Sequence, residues 1–319
     1  MRIVIPDDYQ NAVRSLDCFH KLAGHDVTIY DDSIREPELL AQRFQDAEAL
    51  VLIRERTAIT EPLLARLPRL KLISQTGKGI AHIDLAACTR HGIAVAAGGG
   101  SSHSTAELTW GLVLAAMRHI PQEVAALKAG RWQSTIGLGL HGRTLGIFGY
   151  GQIGRIVAGY GRAFGMNVLV WGRESSLARA RTDGFATAAS QRALFEQSDV
   201  LSLHIRLTQE TRGLVTASDL AAMKPSALLV NSSRAPLIEP GALEQALRAG
   251  RPGFAAVDVY EQEPVKDHPL LHLDNVVCTP HLGYVEKDSY ELYFSIAFDQ
   301  LLAFASGKPI NILNPQVLH

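Results

Sequence analysis

Cysteine is scarce: Cys18, Cys88 and Cys278 are the only three. Their wide separation fits neither a disulfide framework nor a metal-ligand cluster, and so few thiols suit a reducing compartment. A charge of one sign is missing as well. The 31 Lys and Arg residues nearly balance 32 Asp and Glu, for a formal net charge of -1. That excludes a polyanion binder working by bulk charge, which would be strongly basic. It also excludes a disordered chain dominated by one sign of charge. Long apolar runs are absent too. The longest apolar helix candidate, near residues 108–117, is too short to span a bilayer. The N-terminal MRIVIPDD looks like a first core strand and lacks the features of a signal peptide. What remains is a soluble, cytoplasmic globular chain. Its 319 residues, 47% of them hydrophobic, suffice for two domains with buried cores.

Short β-rich runs alternate with amphipathic helical runs from the start. Residues 2–5, 27–30, 49–53, 70–74 and 93–96 read as strands. Residues 8–22, 37–44, 60–67 and 83–91 read as helices, with Thr60 as an N-cap and Glu61 in that first turn. Residues 98–102, Gly-Gly-Gly-Ser-Ser, break the pattern like a hinge. A helix over 105–118 follows, closed by Pro121, and a Gly-rich loop runs over 133–142. Alternation then restarts. Residues 144–148, 168–171, 200–203, 228–230, 255–257 and 276–278 read as buried strands, with a helix over 153–164. A helix over 286–305 and a tail over 309–319 end the chain. The expected class is α/β, with two doubly wound parallel-sheet domains.

Two segments match G-x-G-x-x-G, and context separates them. The first, Gly137 to Gly142, follows polar residues and precedes a strand, so it reads as a loop. The second, Gly149-Tyr-Gly151-Gln-Ile-Gly154, follows a compact apolar strand and opens a helix that Gly165 closes. That is the unit that binds a dinucleotide pyrophosphate. Gly149 permits the tight turn, Gly151 lets phosphates approach the backbone, and Gly154 lets helix and strand pack closely.

A ribose-binding acid belongs about 20 residues onward. Gly172 stands there instead, followed by Arg173 and Glu174. Gly172 leaves room for a 2′-phosphate that Arg173 could hold, which favours NADP over NAD. Glu174 could bind ribose hydroxyls instead, and both charges could simply be solvated.

These segments, with several others, resemble the D-isomer-specific 2-hydroxyacid dehydrogenases over nearly the whole chain. The group includes phosphoglycerate dehydrogenase-like and hydroxypyruvate/glyoxylate reductase-like enzymes. The other segments are Gln75 to Asp84, Ala106-Glu107, His204 to Thr208, Asn231 to Arg234, Asp258 to Pro264 and Thr279 to Gly283. The resemblance implies a Rossmann NAD(P)-binding domain over 100–286. It also implies a discontinuous, flavodoxin-like substrate-binding (catalytic) domain over 1–99 plus 287–319, and a homodimer with the long helix after Gly100 at its interface. It carries over a catalytic trio of Arg234, Glu263 and His281. Cofactor contacts would come from Gly149, Gly151, Gln152, Ile153, Gly154, Gly172, Arg173, His204, Arg206, Thr211, Ser232, Ser233, Asp258 and Gly283. Substrate contacts would come from Arg54, Lys78 and Gly79, and no metal, nucleic acid or membrane is implied.

The residue types suit the reaction. Reducing a 2-oxo acid needs hydride at the carbonyl carbon and a proton on its oxygen. His281 is the natural proton donor near neutrality. Glu263, hydrogen-bonded to it, would orient the ring and keep it protonated, although Glu261 is a competitor. Arg234 would bind the substrate carboxylate and polarise the carbonyl. Asp258 would contact the nicotinamide amide, or serve as a cap or turn residue. Lys78 stands where relatives commonly carry a small apolar residue. It could meet an acidic or phosphorylated substrate, or face solvent. Arg206, His82 and Tyr284 also depart from the usual pattern. Arg206 could touch the cofactor, and Tyr284 could narrow the substrate pocket.

Two other readings compete. One is a nicotinamide-sensing binding protein, like corepressors built on this fold. It would want long disordered recruiting tails, which the sequence lacks. The other is a formate dehydrogenase-like enzyme, in which glutamine would replace Glu263.

Overall fold

The computed structural model describes residues 1–318; the last residue of the expected tail and first domain, residue 319, lies outside them. By contacts the chain divides into two compact units, Met1–Ser101 with Glu286–His319, and Ser102–Val285.

The first unit holds a five-stranded sheet of β1 (Arg2–Ile5), β2 (Asp26–Ile29), β3 (Ala49–Leu52), β4 (Leu72–Gln75) and β5 (Ala94–Ala97). Every pairing is parallel and the order is β2-β1-β3-β4-β5, the flavodoxin-like order. The central β3 and β4 are buried along their whole length, as strands covered on both faces must be. The helix Lys287–Ala305 belongs to this unit. Ser74 on β4 donates to the Ala297 carbonyl at 3.0 Å and to Gln300 Oε1 at 2.7 Å. Asn314 then fastens the chain end, accepting from the Val95 amide of β5 at 2.8 Å.

The second unit holds seven parallel strands: β6 (Thr144–Phe148), β7 (Asn167–Trp171), β8 (Ala186–Thr187), β9 (Val200–Leu203), β10 (Leu228–Asn231), β11 (Phe254–Val257) and β12 (Val276–Cys278). Their order is β12-β11-β10-β9-β6-β7-β8. This is the doubly wound arrangement, with the order reversing between β6 and its neighbours β7 and β9. Alternate residues of β6 serve the two faces: Leu145 and Ile147 join one core cluster, and Phe148 joins the other.

Two local expectations need correction. Residues 8–22 form 3-10 segments, Val13–Ser15 and Asp17–Leu22, and no α-helix. The buried Asp8 carboxylate takes the Ala12 and Val13 amides at 3.1 and 2.9 Å, an alternative to the helical ladder. Pro121 does not end a helix; it lies in the first turn of another, Ile120–Lys128, where its missing N–H costs nothing. The break is made by His119, left-handed at φ 51°. The long helix, His103–Met117, buries Trp110, Leu112, Val113 and Met117 within its unit, while Leu108 and Leu114 are only partly buried.

Candidate active site

The glycine turn joins β6 to the helix Gln152–Ala163 at the point where the strand order reverses. Gly149 has φ 99°, and a Cβ there would stand 2.6 Å from the His204 carbonyl oxygen. A Cβ on Gly154 would meet the Gly149 carbonyl oxygen at 2.2 Å, so helix and strand touch through backbone alone. Gly151 differs: nothing lies within 4 Å of the place its Cβ would take. The turn thus leaves open space at Gly151, beside the free amides of a helix N-terminus that begins at Gln152 and Ile153. That cradle fits a pyrophosphate. The other G-x-G-x-x-G segment lies in the irregular run after the Ile120–Lys128 helix, with no helix behind it.

At the end of β7, a Cβ on Gly172 would make only ordinary contacts, the nearest being Ser176 Cβ at 3.6 Å. Packing therefore does not exclude an acid there. Arg173 is exposed and its guanidinium makes no ion pair among the described residues. Glu174 is engaged by Arg181 at 2.9 Å. The next cofactor candidates are turned toward their own loops. Thr211 Oγ1 donates to the Arg206 carbonyl at 2.8 Å, while the Arg206 residue itself is exposed. Ser232 Oγ meets Thr109 Oγ1 at 2.6 Å in the interior, and Ser233 Oγ donates to the Leu203 carbonyl at 2.7 Å. His204 Nε2 lies 2.9 Å from Ser202 Oγ.

Arg234, Glu263 and His281 lie on loops that follow β10, β11 and β12. Asn231 shapes the first loop, accepting from the Ser233 amide and donating to the Arg234 carbonyl, both at 3.0 Å. Glu263 Oε1 accepts from the Tyr260 amide at 3.0 Å, and Oε2 lies 2.6 Å from His281 Nδ1. A carboxylate only accepts, so Nδ1 carries the proton of that bond. His281 Nε2 has no hydrogen-bond partner among the described residues. Burial pushes the Glu263 carboxyl up, but His281, the Tyr260 amide and the nearby charge of Arg234 outweigh it and hold it below its usual range. Glu261 goes elsewhere, to His268 at 3.1 Å, which separates the two competing acids. Tyr284 packs edge-on against His281, with ring centroids 5.5 Å apart.

Asp258 is wholly enclosed. Its Oδ1 accepts from Thr279 Oγ1 at 2.6 Å and from the Leu282 amide at 2.7 Å; its Oδ2 accepts from the Gly283 amide at 2.9 Å.

Arg54, Lys78 and Gly79 belong to the other unit. Arg54 is left-handed at φ 55°, with its amide on Thr76 Oγ1 at 2.9 Å and its guanidinium over the Tyr293 ring at 5.2 Å. Lys78 is exposed and pairs with no carboxylate among the described residues. Gly79 passes so close to Glu55 that a Cβ would come within 2.5 Å of its Oε1. Next to this loop, both ring nitrogens of His82 are buried without a partner, and burial pushes its imidazole down to about 4. Arg56, not among the candidate residues above, donates to the Asp7 carbonyl at 2.5 Å and stacks on Tyr9 at 4.2 Å. These residues follow β1 and β3, where the five-stranded order reverses; the Arg-x-Arg run after β3 was the available signal.

No group of three or more His, Cys, Asp or Glu among the described residues could hold a metal ion, and no helix there is long and apolar enough to cross a membrane. Residues 110–283 match the family model described as D-isomer specific 2-hydroxyacid dehydrogenase, NAD binding domain. The chain is 39% identical over 274 residues to a D-3-phosphoglycerate dehydrogenase of Methanocaldococcus jannaschii, covering 85% of this chain and 52% of that one. It thus spans about half that relative's length. It is 37% identical to a glyoxylate reductase of Aeropyrum pernix, covering 92% of this chain and 91% of that one. Among solved structures, a phosphoglycerate oxidoreductase from Vibrio cholerae is similar with 54% identity, a TM-score of 0.94 and coverage of 96% and 99%.

Proposed function

The chain belongs to the D-isomer-specific 2-hydroxyacid dehydrogenases, and from that premise we propose that it interconverts a D-2-hydroxy acid and its 2-oxo acid, running mainly as a 2-oxoacid reductase. The observation that carries this reading is the 2.6 Å bond between His281 Nδ1 and Glu263, which leaves Nε2 as the ring atom able to give up a proton. A bound nicotinamide cofactor would supply the hydride. His281 would deliver a proton from Nε2 to the carbonyl oxygen, and take it back in the oxidative direction. Glu263 keeps the ring oriented. Arg234 would bind the substrate carboxylate through its planar fork and polarise the carbonyl.

In this reading residues 102–285 hold the cofactor. Gly149, Gly151, Gln152, Ile153 and Gly154 would cradle the pyrophosphate. Gly172 and Arg173 would admit and hold a 2′-phosphate, so NADP is favoured over NAD. The support is the unpaired guanidinium of Arg173 and the diversion of Glu174 to Arg181. His204, Arg206, Thr211, Ser232, Ser233 and Gly283 would shape the rest of that surface through their backbones and loops. Residues 1–101 and 286–318 would hold the substrate, with the Gly77–Gly79 turn and Arg54 at its carboxylate. Lys78, without a carboxylate of its own, suits a 2-oxo acid that carries a further anionic group.

A homodimer is part of the proposal, with the long helix after Gly100 and the helix that follows it at the interface. Ile120, Val124 and Leu127 are exposed on the next helix, and Trp132 and Ile136 beyond it are 77% and 93% exposed. A second copy would cover them. A reducing, cytoplasmic setting suits the three free cysteines.

The test is turnover of a 2-oxoacid panel (glyoxylate, hydroxypyruvate, phenylpyruvate and their phosphorylated or acidic analogues) with NADPH and with NADH. Oxidation of cofactor with a D-configured product supports the reading. A wild type inert across the panel with both cofactors overturns it.

A further inference from the structure

The helix Glu174–Thr182 follows β7, and most arginines on this flank are spent on the protein itself. Arg181 pairs with Glu174 at 2.9 Å, and Arg155 pairs with Asp183 at 2.9 Å. Arg162 donates to the Asp183 carbonyl at 3.4 Å and lies over the Phe185 ring. Arg179 differs. It is exposed and pairs with no carboxylate among the described residues.

Yet Arg179 does not simply extend into water. Its Nη2 donates to the Tyr150 carbonyl at 3.1 Å and lies 3.4 Å from Ser176 Oγ. Those two partners mark one place. Tyr150 stands inside the glycine turn. Ser176 is the nearest neighbour of the space beside Gly172, its Cβ 3.6 Å from where a Cβ on Gly172 would stand, with Gly149 Cα at 3.7 Å. The Gly149 amide donates to the Trp171 carbonyl at 2.8 Å, which holds the turn against the end of β7. The guanidinium is therefore held at the crevice between the glycine turn and the end of β7, where this fold receives the adenosine ribose. Its Nε and Nη1 donors have no partner among the described residues.

A phosphomonoester carries about 1.5 to 2 negative charges near neutrality. Arg173 supplies one positive charge, and a second planar fork matches the remaining charge and oxygens. We propose that Arg179 is a specificity-determining residue that forms, with Arg173, a two-arginine clamp for the 2′-phosphate of NADP. This rests on the reading of NADP as the favoured cofactor. It differs from a role confined to bracing the glycine turn through Tyr150, which would serve NAD and NADP alike.

The experiment compares ligands that differ only in the 2′-phosphate, on the full chain. Dissociation constants are measured for NADPH and NADH by fluorescence, and for adenosine 2′,5′-bisphosphate and AMP by calorimetry, so no turnover is needed. Arg179→Met removes the charge and keeps much of the length; Arg179→Lys keeps a point charge without the fork. Arg179→Met should weaken NADPH and adenosine 2′,5′-bisphosphate by about tenfold or more, the scale of a lost hydrogen bond to a charged group. NADH and AMP should stay within about twofold of wild type, and Arg179→Lys should fall between wild type and Arg179→Met for the phosphorylated pair. An equal loss on all four ligands overturns the proposal, because Arg179 then only braces the turn. Unchanged constants for all four overturn it too, as does a wild type that does not bind adenosine 2′,5′-bisphosphate. A wild type that binds NADH more tightly than NADPH, with the ratio moved further toward NADH in Arg179→Met, overturns the NADP reading alone and supports the phosphate contact.

Discussion

Nδ1 of His281 lies 2.6 Å from Oε2 of Glu263, and that bond decides which ring nitrogen does chemistry. Glu263 is held below its usual range, so near neutrality it is the charged acceptor of that bond. Replacing Glu263 by Gln removes that charge. kcat for 2-oxoacid reduction is expected to fall by about tenfold or more, with NADPH affinity unchanged. Turnover and a fluorescence titration of both proteins check it, and a wild-type kcat contradicts the role given to Glu263.

Gly151 and Gly154 should respond oppositely to the same added methyl. A Cβ at Gly154 lands 2.2 Å from a backbone oxygen that cannot yield, so Gly154→Ala should cost about 1–3 kcal/mol of stability. At Gly151 the methyl meets open space, so Gly151→Ala should keep its melting temperature. It should instead weaken NADPH binding tenfold or more, about 1.4 kcal/mol, by filling the cradle. Calorimetry and a fluorescence titration separate the two.

Cofactor choice rests on the end of β7. A Cβ is tolerated at Gly172, so Gly172→Asp should fold normally. It should also shift the NADPH/NADH ratio of kcat/KM toward NADH by about tenfold, through repulsion of a 2′-phosphate and a new ribose acceptor. An unchanged ratio would remove the reading of Gly172 and Arg173.

His82 carries a different cost. Both its nitrogens are buried without partners, and it titrates near about 4 against an ordinary 6.5. The unfolded chain therefore binds the extra proton between those values, and stability falls as pH drops from 6.5 toward 4. His82→Leu removes the group. It should be neutral or stabilising at pH 7 and gain about 1–2 kcal/mol over wild type at pH 5. Denaturant melts at the two pH values give the comparison.

The sheet strands other than the two-residue β8, and the pyrophosphate turn, were legible in the sequence because their signals are local. An apolar run of four or five residues bounded by glycine marks a buried strand, and Gly149 to Gly154 sits between a strand and a helix. Residues 8–22 misled because their helical spacing says nothing about Asp8, whose carboxylate captures the amides of Ala12 and Val13. Pro121 misled because proline both ends helices and begins them, and only the left-handed His119 fixes which. Pairing is the least legible property. Glu261 and Glu263 stand one residue apart, and only the family motif favours Glu263; the fold sends Glu261 to His268 and Glu263 to His281. The donors to Asp258 come from Thr279, Leu282 and Gly283 on another loop, a relation no spacing rule exposes.

The most direct test is single-turnover reduction by wild type and His281→Ala, each preloaded with NADPH and mixed with a 2-oxo acid that the wild type turns over. The expected result is equal NADPH binding in both proteins, with reduction slowed by about 100-fold or more in the variant, the scale of a lost general acid. Equal rates of NADPH oxidation would contradict the assignment of His281 as the proton donor.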